Sequence, residues 1–125
     1  MPSVTVVPMA SSTQEVLDHH LKSFSEGNLE DILSDYDPVA VLFTPRGPLN
    51  GHEAIKQLFE AFFSEFEKPG ATFAMTHLTV QGEYAYILWN AETADNTYDA
   101  ATDTFVVRNG KIVAQTFAAK ITPKA

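Results

Sequence analysis

Apolar residues recur at helical spacing in the first half of the chain and at every second position in its last third. Ser12 and Glu15 form the pattern of a capping box, in which each side chain accepts a hydrogen bond from a free amide at the start of a helix. The helix predicted behind this box ends at Gly27, which tolerates the left-handed conformation of a helix terminus. Its apolar stripe includes one histidine and consists of Val16, Leu17, His20, Leu21 and Phe24.

Two further helices are predicted before the alternating region begins. Asn28 starts a short second helix, which ends before Pro38. Residues 39–44 are rich in β-forming side chains and predict a strand, followed by a loop at residues 46–48. Asn50 and Glu53 resemble another capping box, and the third helix behind them ends at residues 68–70. Its apolar face consists of Ile55, Leu58, Phe59, Phe62 and Phe66.

From residue 71 onward the alternation predicts four strands joined by short turns. Asn109-Gly110 is the dipeptide that most readily forms a two-residue type I′ turn, so it joins the last two strands. The predicted strands cover residues 72–80, 84–93, 102–107 and 112–121.

The facing of the last strand depends on the geometry after this turn. A strict two-residue turn points Ala114 and Thr116 at the interior. A bulge points Gln115, Phe117 and Ala119 there instead. We favour the bulge because that set of side chains is the more apolar.

These elements predict an α+β fold in which three N-terminal helices cover one face of a curved antiparallel sheet. Residues 12–125 are expected to form this single domain, after a flexible arm at residues 1–11. The outer face of the sheet also carries large side chains, among them Tyr86 and Leu88, which is much apolar surface for a small monomer. We therefore expect a homodimer that is joined through the outer sheet face.

Composition narrows the classes of function. The formal net charge is -8 at pH 7 and the 8 basic residues are scattered, which argues against binding to nucleic acid or anionic membranes. No apolar run approaches the about 20 residues of a membrane span, and the start lacks the pattern of an export signal, so we expect a cytoplasmic protein. The chain has no cysteine, its histidines lack metal-site spacing, and it contains no phosphate loop or dinucleotide fingerprint. We therefore expect neither a metal nor a cofactor.

Several polar residues are assigned to the surface. His19 and His52 are expected to face solvent on the first and third helices. Glu60, Glu65 and Glu67 are interpreted as the solvated face of the third helix.

Three stretches carry a family resemblance: FSEGNLEDIL at the end of the first helix, YDPVAVLFTPRGPLNGHEAI before and into the third, and DTFVVRNGKIVAQTFAAKI in the last hairpin. In this order and spacing they resemble the nuclear transport factor 2-like superfamily (cystatin-like fold), in its SnoaL-like and ketosteroid isomerase-like branch. The resemblance covers residues 12–121. It implies a cone with a deep pocket but no single activity, because the fold hosts isomerases, cyclases, dehydratases, epoxide hydrolases and binding domains.

The resemblance allows a comparison with the ketosteroid isomerase site. Thr44 stands where that family has its catalytic base, an aspartate just before a proline, so the steroid isomerase mechanism is not carried over. His20 stands where the family has the oxyanion-hole tyrosine. Asp103 matches the protonated aspartic acid that completes the oxyanion hole, in an alignment that needs a gap of about one residue.

His20 and Asp103 are therefore the candidate catalytic pair, with Asp103 orienting the imidazole or, when protonated, donating to a developing oxyanion. The alternative is a polar pair that satisfies itself inside an apolar cavity. Tyr36 either presents its hydroxyl at the pocket rim or packs under the second helix and bonds a backbone carbonyl. Trp89 either stacks on a flat ligand or belongs to the core. The residues expected to line the pocket are Leu17, Tyr36, Thr44, Phe59, Phe62, Trp89, Phe105, Gln115 and Phe117.

Three functions fit such a pocket protein. The first is a cofactor-free isomerase, dehydratase or cyclase that acts on a small apolar organic molecule. The second is a non-catalytic module that binds or senses a small molecule, which the missing carboxylate at Thr44 favours. The third is a domain whose sheet face binds a partner protein. The sequence leaves the choice between catalyst and binder open.

Overall fold

The computed structural model describes residues 12–125, so the arm predicted for residues 1–11 lies outside the described residues. Three helices and six strands follow one another along this part of the chain. The helices are α1 (Thr13–Glu26), α2 (Leu29–Ser34) and α3 (Gly51–Phe66). The strands are β1 (Tyr36–Thr44), β2 (Gly47–Asn50), β3 (Thr72–Gln81), β4 (Tyr84–Glu92), β5 (Asn96–Arg108) and β6 (Lys111–Pro123).

Local side-chain chemistry sets the ends of the first two helices, as predicted. Ser12 Oγ accepts from the Glu15 amide at 3.1 Å, and Glu15 Oε1 accepts from the Ser12 amide at 3.0 Å, which completes the capping box. Gly27 ends α1 with φ at +65°, and Asn28 caps α2 through its side chain. The second predicted box does not form: in the described part of the chain the side chain of Asn50 makes no capping hydrogen bond to α3.

The strands form one sheet in the order β2-β1-β6-β5-β4-β3. Strands β3 to β6 make the predicted antiparallel meander, with β1 at its side. However, β1 runs parallel to β6, because the chain enters β1 from α2 and not through a hairpin, so the sheet is mixed. The loop predicted at residues 46–48 is instead part of a tight hairpin between β1 and β2.

Strand β1 begins at Tyr36, three residues before its predicted start, and it passes through Pro38. The pairing of β1 with β6 is irregular between Tyr36 and Val41, and Pro38 falls in this interval. A proline is tolerated there because it removes no regular ladder hydrogen bond.

Strand β6 carries the predicted bulge directly after the β5–β6 turn. Both turn residues have positive φ, 51° and 74°, as a type I′ turn requires. The register shifts between Val106 and Val107, which makes Val113 the extra residue on β6. Because of this bulge Gln115 faces the interior, where it is 4% exposed.

The helices cover the concave face of this curved, open sheet, which confirms the predicted fold class. Helix α3 packs on β1 and β2, whereas α1 packs on β4 and β5. Tyr36 and Phe105 are among the largest fully buried side chains between the two layers. Fully burying one such side chain is worth roughly 1.5–3 kcal/mol, so this layer supplies much of the stability. No helix within residues 12–125 is long and apolar enough to cross a membrane.

Glu65 ties the end of α3 to the β4–β5 hairpin, contrary to its assignment to the solvated face. Its carboxylate accepts hydrogen bonds from Thr93 Oγ1 at 2.6 Å, Asn96 Nδ2 at 3.0 Å and the Tyr98 hydroxyl at 2.9 Å. These three donors all come from the hairpin, so Glu65 fixes the distance between the helix layer and the sheet at this end. Glu60, five residues earlier, is exposed as predicted.

Candidate functional site

A cavity of about 50 Å³ lies between the helices and the concave face of the sheet. Helices α1 and α3 supply one wall and the sheet supplies the other. The lining is largely apolar, and His20, Asp103 and Gln115 bring polar groups to it. The other lining residues are Leu21, Phe24, Leu42, Leu58, Phe59, Phe62, Phe73, Ile87, Trp89 and Phe117.

A buried chain of hydrogen bonds runs along the sheet side of this cavity. The Tyr36 hydroxyl donates to Gln115 Oε1 at 2.5 Å, and Gln115 Nε2 donates to Asp103 Oδ1 at 2.9 Å. Trp89 Nε1 donates to the other oxygen, Asp103 Oδ2, at 2.8 Å. Two neutral donors therefore hold the Asp103 carboxyl in one orientation at the cavity wall.

The Asp103 carboxyl exchanges its proton close to neutral pH. Burial raises the pKa of Asp103 from 3.8 to about 6, against the opposing effect of the hydrogen bonds from Trp89 and Gln115. Among residues 12–125, those that line the cavity include no Lys or Arg that would favour the ionised form. Asp103 is therefore protonated more readily than an exposed aspartate.

His20 enters the cavity from α1 and is enclosed by aromatic rings. Its ring centroid lies 5.8 Å from those of Tyr36 and Phe59 and 5.3 Å from that of Phe105, all in edge-to-face arrangements. Burial, with a smaller contribution from the neighbouring His19, lowers the pKa of His20 from 6.5 to about 3. The imidazole is therefore neutral at physiological pH, with one ring nitrogen protonated and the other free to accept.

The predicted orientation of His20 by Asp103 is not formed. Both oxygens of Asp103 accept from Trp89 and Gln115. Nδ1 of His20 has no hydrogen-bond partner among the residues that the structure describes. The two side chains nevertheless line the same cavity.

Nδ1 of His20 faces a different carboxylate, that of Asp35. Asp35 Oδ2 lies 4.0 Å from this nitrogen, and Asp35 Oδ1 accepts a hydrogen bond from His19 Nδ1 at 2.6 Å. Within residues 12–125, His20 Nδ1 and Asp35 Oδ2 are the two buried side-chain polar atoms without a hydrogen-bond partner. Leaving one such group unpaired costs about 1–3 kcal/mol. Burial also raises the pKa of Asp35, while the His19 hydrogen bond opposes this shift.

A larger cleft of about 590 Å³ opens beside the inner cavity. The two spaces share Leu58, Phe62 and Phe117, so these side chains form the partition between them. Thr44 lines the outer cleft and not the inner cavity. Its hydroxyl donates to the Gly47 carbonyl at 3.0 Å and accepts from the amide two residues further on, so it is used by the β1–β2 turn.

The predicted lining residues divide into three groups. Thr44 lies on the outer cleft. Leu17, Tyr36 and Phe105 are only 1–2% exposed and lie behind the lining, because an inward-facing residue deep in the cone is covered by its neighbours. The inner cavity is lined by Phe59, Phe62, Trp89, Gln115 and Phe117.

Trp89 pairs with Ala101, and Asp103 lies diagonally from it on the same face of the sheet. Two further expectations are not met. The Tyr36 hydroxyl is neither at the rim nor bonded to a backbone carbonyl, since it donates to a side chain. His52, which was expected to face solvent, is half-buried, and its Nε2 donates to the Tyr36 carbonyl at 2.8 Å.

No cluster of three or more metal-binding side chains occurs within residues 12–125.

Asp35 is the residue at this site that sequence reasoning missed. It follows α2 directly, as the C-cap residue, where the helix dipole disfavours a negative charge. An acidic residue at the wrong end of a helix, next to a buried Tyr36, is the signal that could have singled it out.

Comparisons with known proteins agree with this fold. Residues 17–115 match the family model described as the SnoaL-like domain. An NTF2-like protein of unknown function from Mesorhizobium loti is 23% identical, with 86% of this chain and 90% of that chain covered and a TM-score of 0.74. No curated protein matches the sequence.

Two other similar structures are those of an enzyme and of a protein in complex with a small molecule. SalBIII, an epoxide hydrolase/cyclase-like enzyme in pyran ring formation in the polyether salinomycin, is 16% identical, with 90% and 95% of the chains covered and a TM-score of 0.75. TerC, co-crystallised with polyporic acid, is 19% identical, with 88% and 92% covered and a TM-score of 0.70. Such low identities establish a shared fold and not a shared activity.

Proposed function

The chain belongs to the SnoaL-like domain family, and on that premise we propose that it is a small-molecule pocket protein that carries out cofactor-free proton transfer. The reaction class is isomerisation, dehydration or cyclisation of a small, mostly apolar organic molecule. The observation that carries this proposal is the convergence of His20 and Asp103 on one apolar cavity. Few polar groups at fixed positions in an apolar space are typical of sites that orient a ligand.

His20 supplies the general base or acid in this proposal. Its imidazole is neutral at physiological pH because burial lowers its pKa to about 3. A neutral imidazole has one lone pair and one N–H, so it can take a proton at one position of a ligand and return it at another. Proton transfer by a positioned side chain typically accelerates a reaction about 10²–10⁴-fold.

Asp103 supplies the second proton-exchanging group. A carboxyl whose pKa is raised to about 6 is partly protonated near neutral pH. In its protonated form it donates a hydrogen bond to a developing oxyanion, and in its ionised form it accepts a proton. Because burial lowers the pKa of His20 and raises that of Asp103, Asp103 is the more readily protonated of the two groups, which supports assigning it the acid role.

The two adjoining spaces limit the size of the ligand. The inner cavity of about 50 Å³ accommodates only a small reacting group. The outer cleft of about 590 Å³ has the size of an ordinary ligand pocket. We therefore propose that the body of the ligand occupies the cleft and that its reacting end passes Phe62 and Phe117.

Hydrogen–deuterium exchange into candidate ligands tests the proposed chemistry even before the natural substrate is identified. Cyclic ketones, enones and phenols are first screened for binding by thermal shift, and each binder is then incubated with the protein in D₂O. We expect deuterium to enter a binder at a carbon next to its carbonyl or hydroxyl group, as measured by NMR. His20→Phe and Asp103→Asn should slow this exchange by about 10²-fold or more.

His77→Gln provides the matched control, because His77 is exposed on β3 and lies outside the cavity lining. Its exchange rate should equal that of the wild type. Equal rates in wild type, His20→Phe and Asp103→Asn would contradict the proposal.

A non-catalytic binding module is the second candidate function, and Thr44 favours it. This hydroxyl has replaced the carboxylate base that the family resemblance would place there, and both of its hydrogen bonds serve the β1–β2 turn. Native mass spectrometry that finds a ligand retained through purification, combined with no deuterium exchange into that ligand, would favour the binding module.

We also propose that two copies of the chain associate through the outer sheet face. Phe43, Tyr84 and Tyr86 are 49%, 54% and 40% exposed there, and the helices lie on the opposite face. Sedimentation should give a dimer at micromolar concentration for the wild type and a monomer for Tyr86→Lys, while Glu60→Lys on the exposed side of α3 stays dimeric. A monomeric wild type contradicts this part of the proposal and leaves a different protein partner as the alternative for that face.

A further inference from the structure

Asp35 occupies a position that does not suit a carboxylate. It caps the C-terminal end of α2, where the unpaired helix carbonyls already carry partial negative charge. Its side chain is 9% exposed, and Oδ2 has no hydrogen-bond partner among residues 12–125. Burial, the helix end and the unpaired oxygen all make ionised Asp35 costly, while the hydrogen bond from His19 and the charges of His19 and Lys111 favour the ionised form. A stabilising effect on the fold therefore does not explain why a carboxylate stands at this position.

The groups that face Asp35 come from three elements. His19 and His20 approach from α1, with His19 Nδ1 at 2.6 Å from Oδ1 and His20 Nδ1 at 4.0 Å from Oδ2. Lys111 on β6 and Asp31 on α2 also act on Asp35, with opposite signs of charge. Lys111 Nζ donates to the Ser34 carbonyl. Oδ2 is therefore left facing the imidazole of His20.

The two unpaired buried atoms are complementary. In an ionised carboxylate Asp35 Oδ2 is an acceptor and cannot donate. His20 Nδ1 is a donor in the tautomer that carries the ring proton on this nitrogen. Their separation of 4.0 Å exceeds a hydrogen bond by about 1 Å, which a small side-chain movement covers. Because Nδ1 is buried and faces Asp35, Nε2 is the ring nitrogen of His20 that is left to contact a ligand in the cavity.

We propose that Asp35 is the positioning residue of His20: its free oxygen selects the tautomer with the proton on Nδ1 and thereby turns the Nε2 lone pair to a ligand in the cavity. This inference rests on the proposed proton chemistry at His20. His19 assists because its hydrogen bond occupies Oδ1 and leaves Oδ2 directed at His20. Asp103, which the sequence suggested for this task, acts separately on the ligand.

The proton balance of the step is simple. A ligand gives a proton to His20 Nε2, so the ring becomes positively charged and the ligand negatively charged, while the Nδ1 proton stays on the ring. The imidazolium and Asp35 then attract each other, and the Nδ1–H···Oδ2 contact shortens to a hydrogen bond. The proton on Nε2 returns to the product, which restores neutral His20.

The tautomer of His20 is measured by long-range ¹H–¹⁵N NMR on the ¹⁵N-labelled protein at about pH 7, with no ligand. We expect His20 in the wild type to be protonated on Nδ1. In Asp35→Asn the amide oxygen keeps the hydrogen bond from His19, and the amide NH₂ then faces His20 Nδ1. A donor at this place requires an acceptor, so the proton of His20 should move to Nε2.

Asp103→Asn is the matched control, because this carboxyl makes no hydrogen bond to His20 and its replacement should leave the tautomer unchanged. A wild type already protonated on Nε2 overturns the inference, and this measurement needs no variant to fold. An unchanged tautomer in a folded Asp35→Asn variant overturns it as well.

The tautomer is independent of turnover, so failure of this inference is distinguishable from failure of the proposed function. With a ligand that undergoes exchange, Asp35→Asn should lower kcat by about 10²–10⁴-fold and change KM by less than about twofold. The expected tautomers without any exchange activity would support the positioning role and contradict the catalytic one. Loss of exchange in His20→Phe together with full activity in Asp35→Asn would support the catalytic role of His20 and contradict the positioning role of Asp35.

Discussion

His20 and Asp103 line one cavity, and burial acts on both by disfavouring the charged form. For the histidine this lowers the pKa to about 3, and for the aspartate it raises the pKa to about 6. The consequences for stability have opposite signs, because the histidine gains charge in acid and the aspartate loses it. The two residues are therefore expected to make opposite contributions to the pH dependence of the free energy of unfolding.

Replacing His20 by Phe should make the protein less sensitive to acid. The folded-state pKa of His20 is depressed, so its stabilising contribution is complete above the unfolded pKa of 6.5 and is lost as the pH falls toward about 3. Between about pH 7.5 and about pH 5, wild type should lose about 2 kcal/mol relative to His20→Phe. Urea unfolding at both pH values measures the difference, with the exposed His77→Gln as the control. A constant difference between wild type and His20→Phe would contradict the buried, neutral state.

Replacing Asp103 by Asn should have the opposite dependence. The folded-state pKa of Asp103 is raised, so its stabilising contribution is complete below the unfolded pKa of 3.8 and is lost as the pH rises through about 6. Relative to wild type, Asp103→Asn should therefore gain about 1 kcal/mol of stability from about pH 5 to about pH 7.5. Urea unfolding at both pH values measures the difference, and a difference that stays constant over this interval would show that the pKa of Asp103 is not raised in the folded protein.

At the scale of elements, α1 and the C-terminal end of α2 bring His19, His20 and Asp35 together. Strands β4, β5 and β6 hold Asp103 and its two hydrogen-bond donors. The ends of α1 were predictable from Ser12 and Gly27, because caps act through neighbours in sequence. The role of Glu65 was not predictable, since its three donors lie 28 to 33 residues away. Helical periodicity places Glu65 on a face but does not show that a hairpin covers this face.

Removal of the Glu65 carboxylate should loosen the contact between α3 and the β4–β5 hairpin. Glu65→Ala leaves the donors of Thr93, Asn96 and Tyr98 without this acceptor. We expect a loss of about 1–3 kcal/mol in the free energy of unfolding, measured by urea denaturation. Glu60→Ala, on an exposed position of the same helix, should change it by less than about 0.5 kcal/mol. Equal effects of the two substitutions would mean that the Glu65 contacts contribute nothing.

At the scale of the whole molecule, the surface charge is strongly unbalanced. The chain has 16 acidic and 8 basic residues, and its described Lys and Arg ion pairs are exposed contacts such as Lys68–Asp95 and Arg108–Glu83. Exposed pairs of this kind contribute about 0–1 kcal/mol each. Repulsion among the excess carboxylates is therefore expected to dominate the surface electrostatics.

Added salt should stabilise the protein at neutral pH. Raising NaCl from about 10 mM to about 200 mM screens the repulsion between surface carboxylates, and we expect the Tm at about pH 7.5 to rise by a few degrees. Near the isoelectric pH of about 4.8 the same addition should have little effect, which serves as the control. A fall of Tm with salt at pH 7.5 would show that attractive ion pairs outweigh the net charge.

The sequence by itself determined the elements and the class of fold. Caps, turn dipeptides and the change of period from helix to strand are local signals, and even the bulge on β6 followed from which set of side chains was more apolar. It also identified His20 and Asp103 as inward-facing polar residues. The parallel pairing of β1 with β6 depended on the path of the chain in space, which local patterns do not record.

Only the tertiary structure decided which polar groups meet. Trp89 and Gln115 occupy the oxygens of Asp103, and Asp35, not Asp103, faces the imidazole of His20. Periodicity states which side of an element faces inward, but a contact needs a distance and an angle between groups from different elements. The distance and the angle depend on how α1 packs against β4 and β5 and on the position of the α2–β1 junction. The packing of the whole core determines these two arrangements.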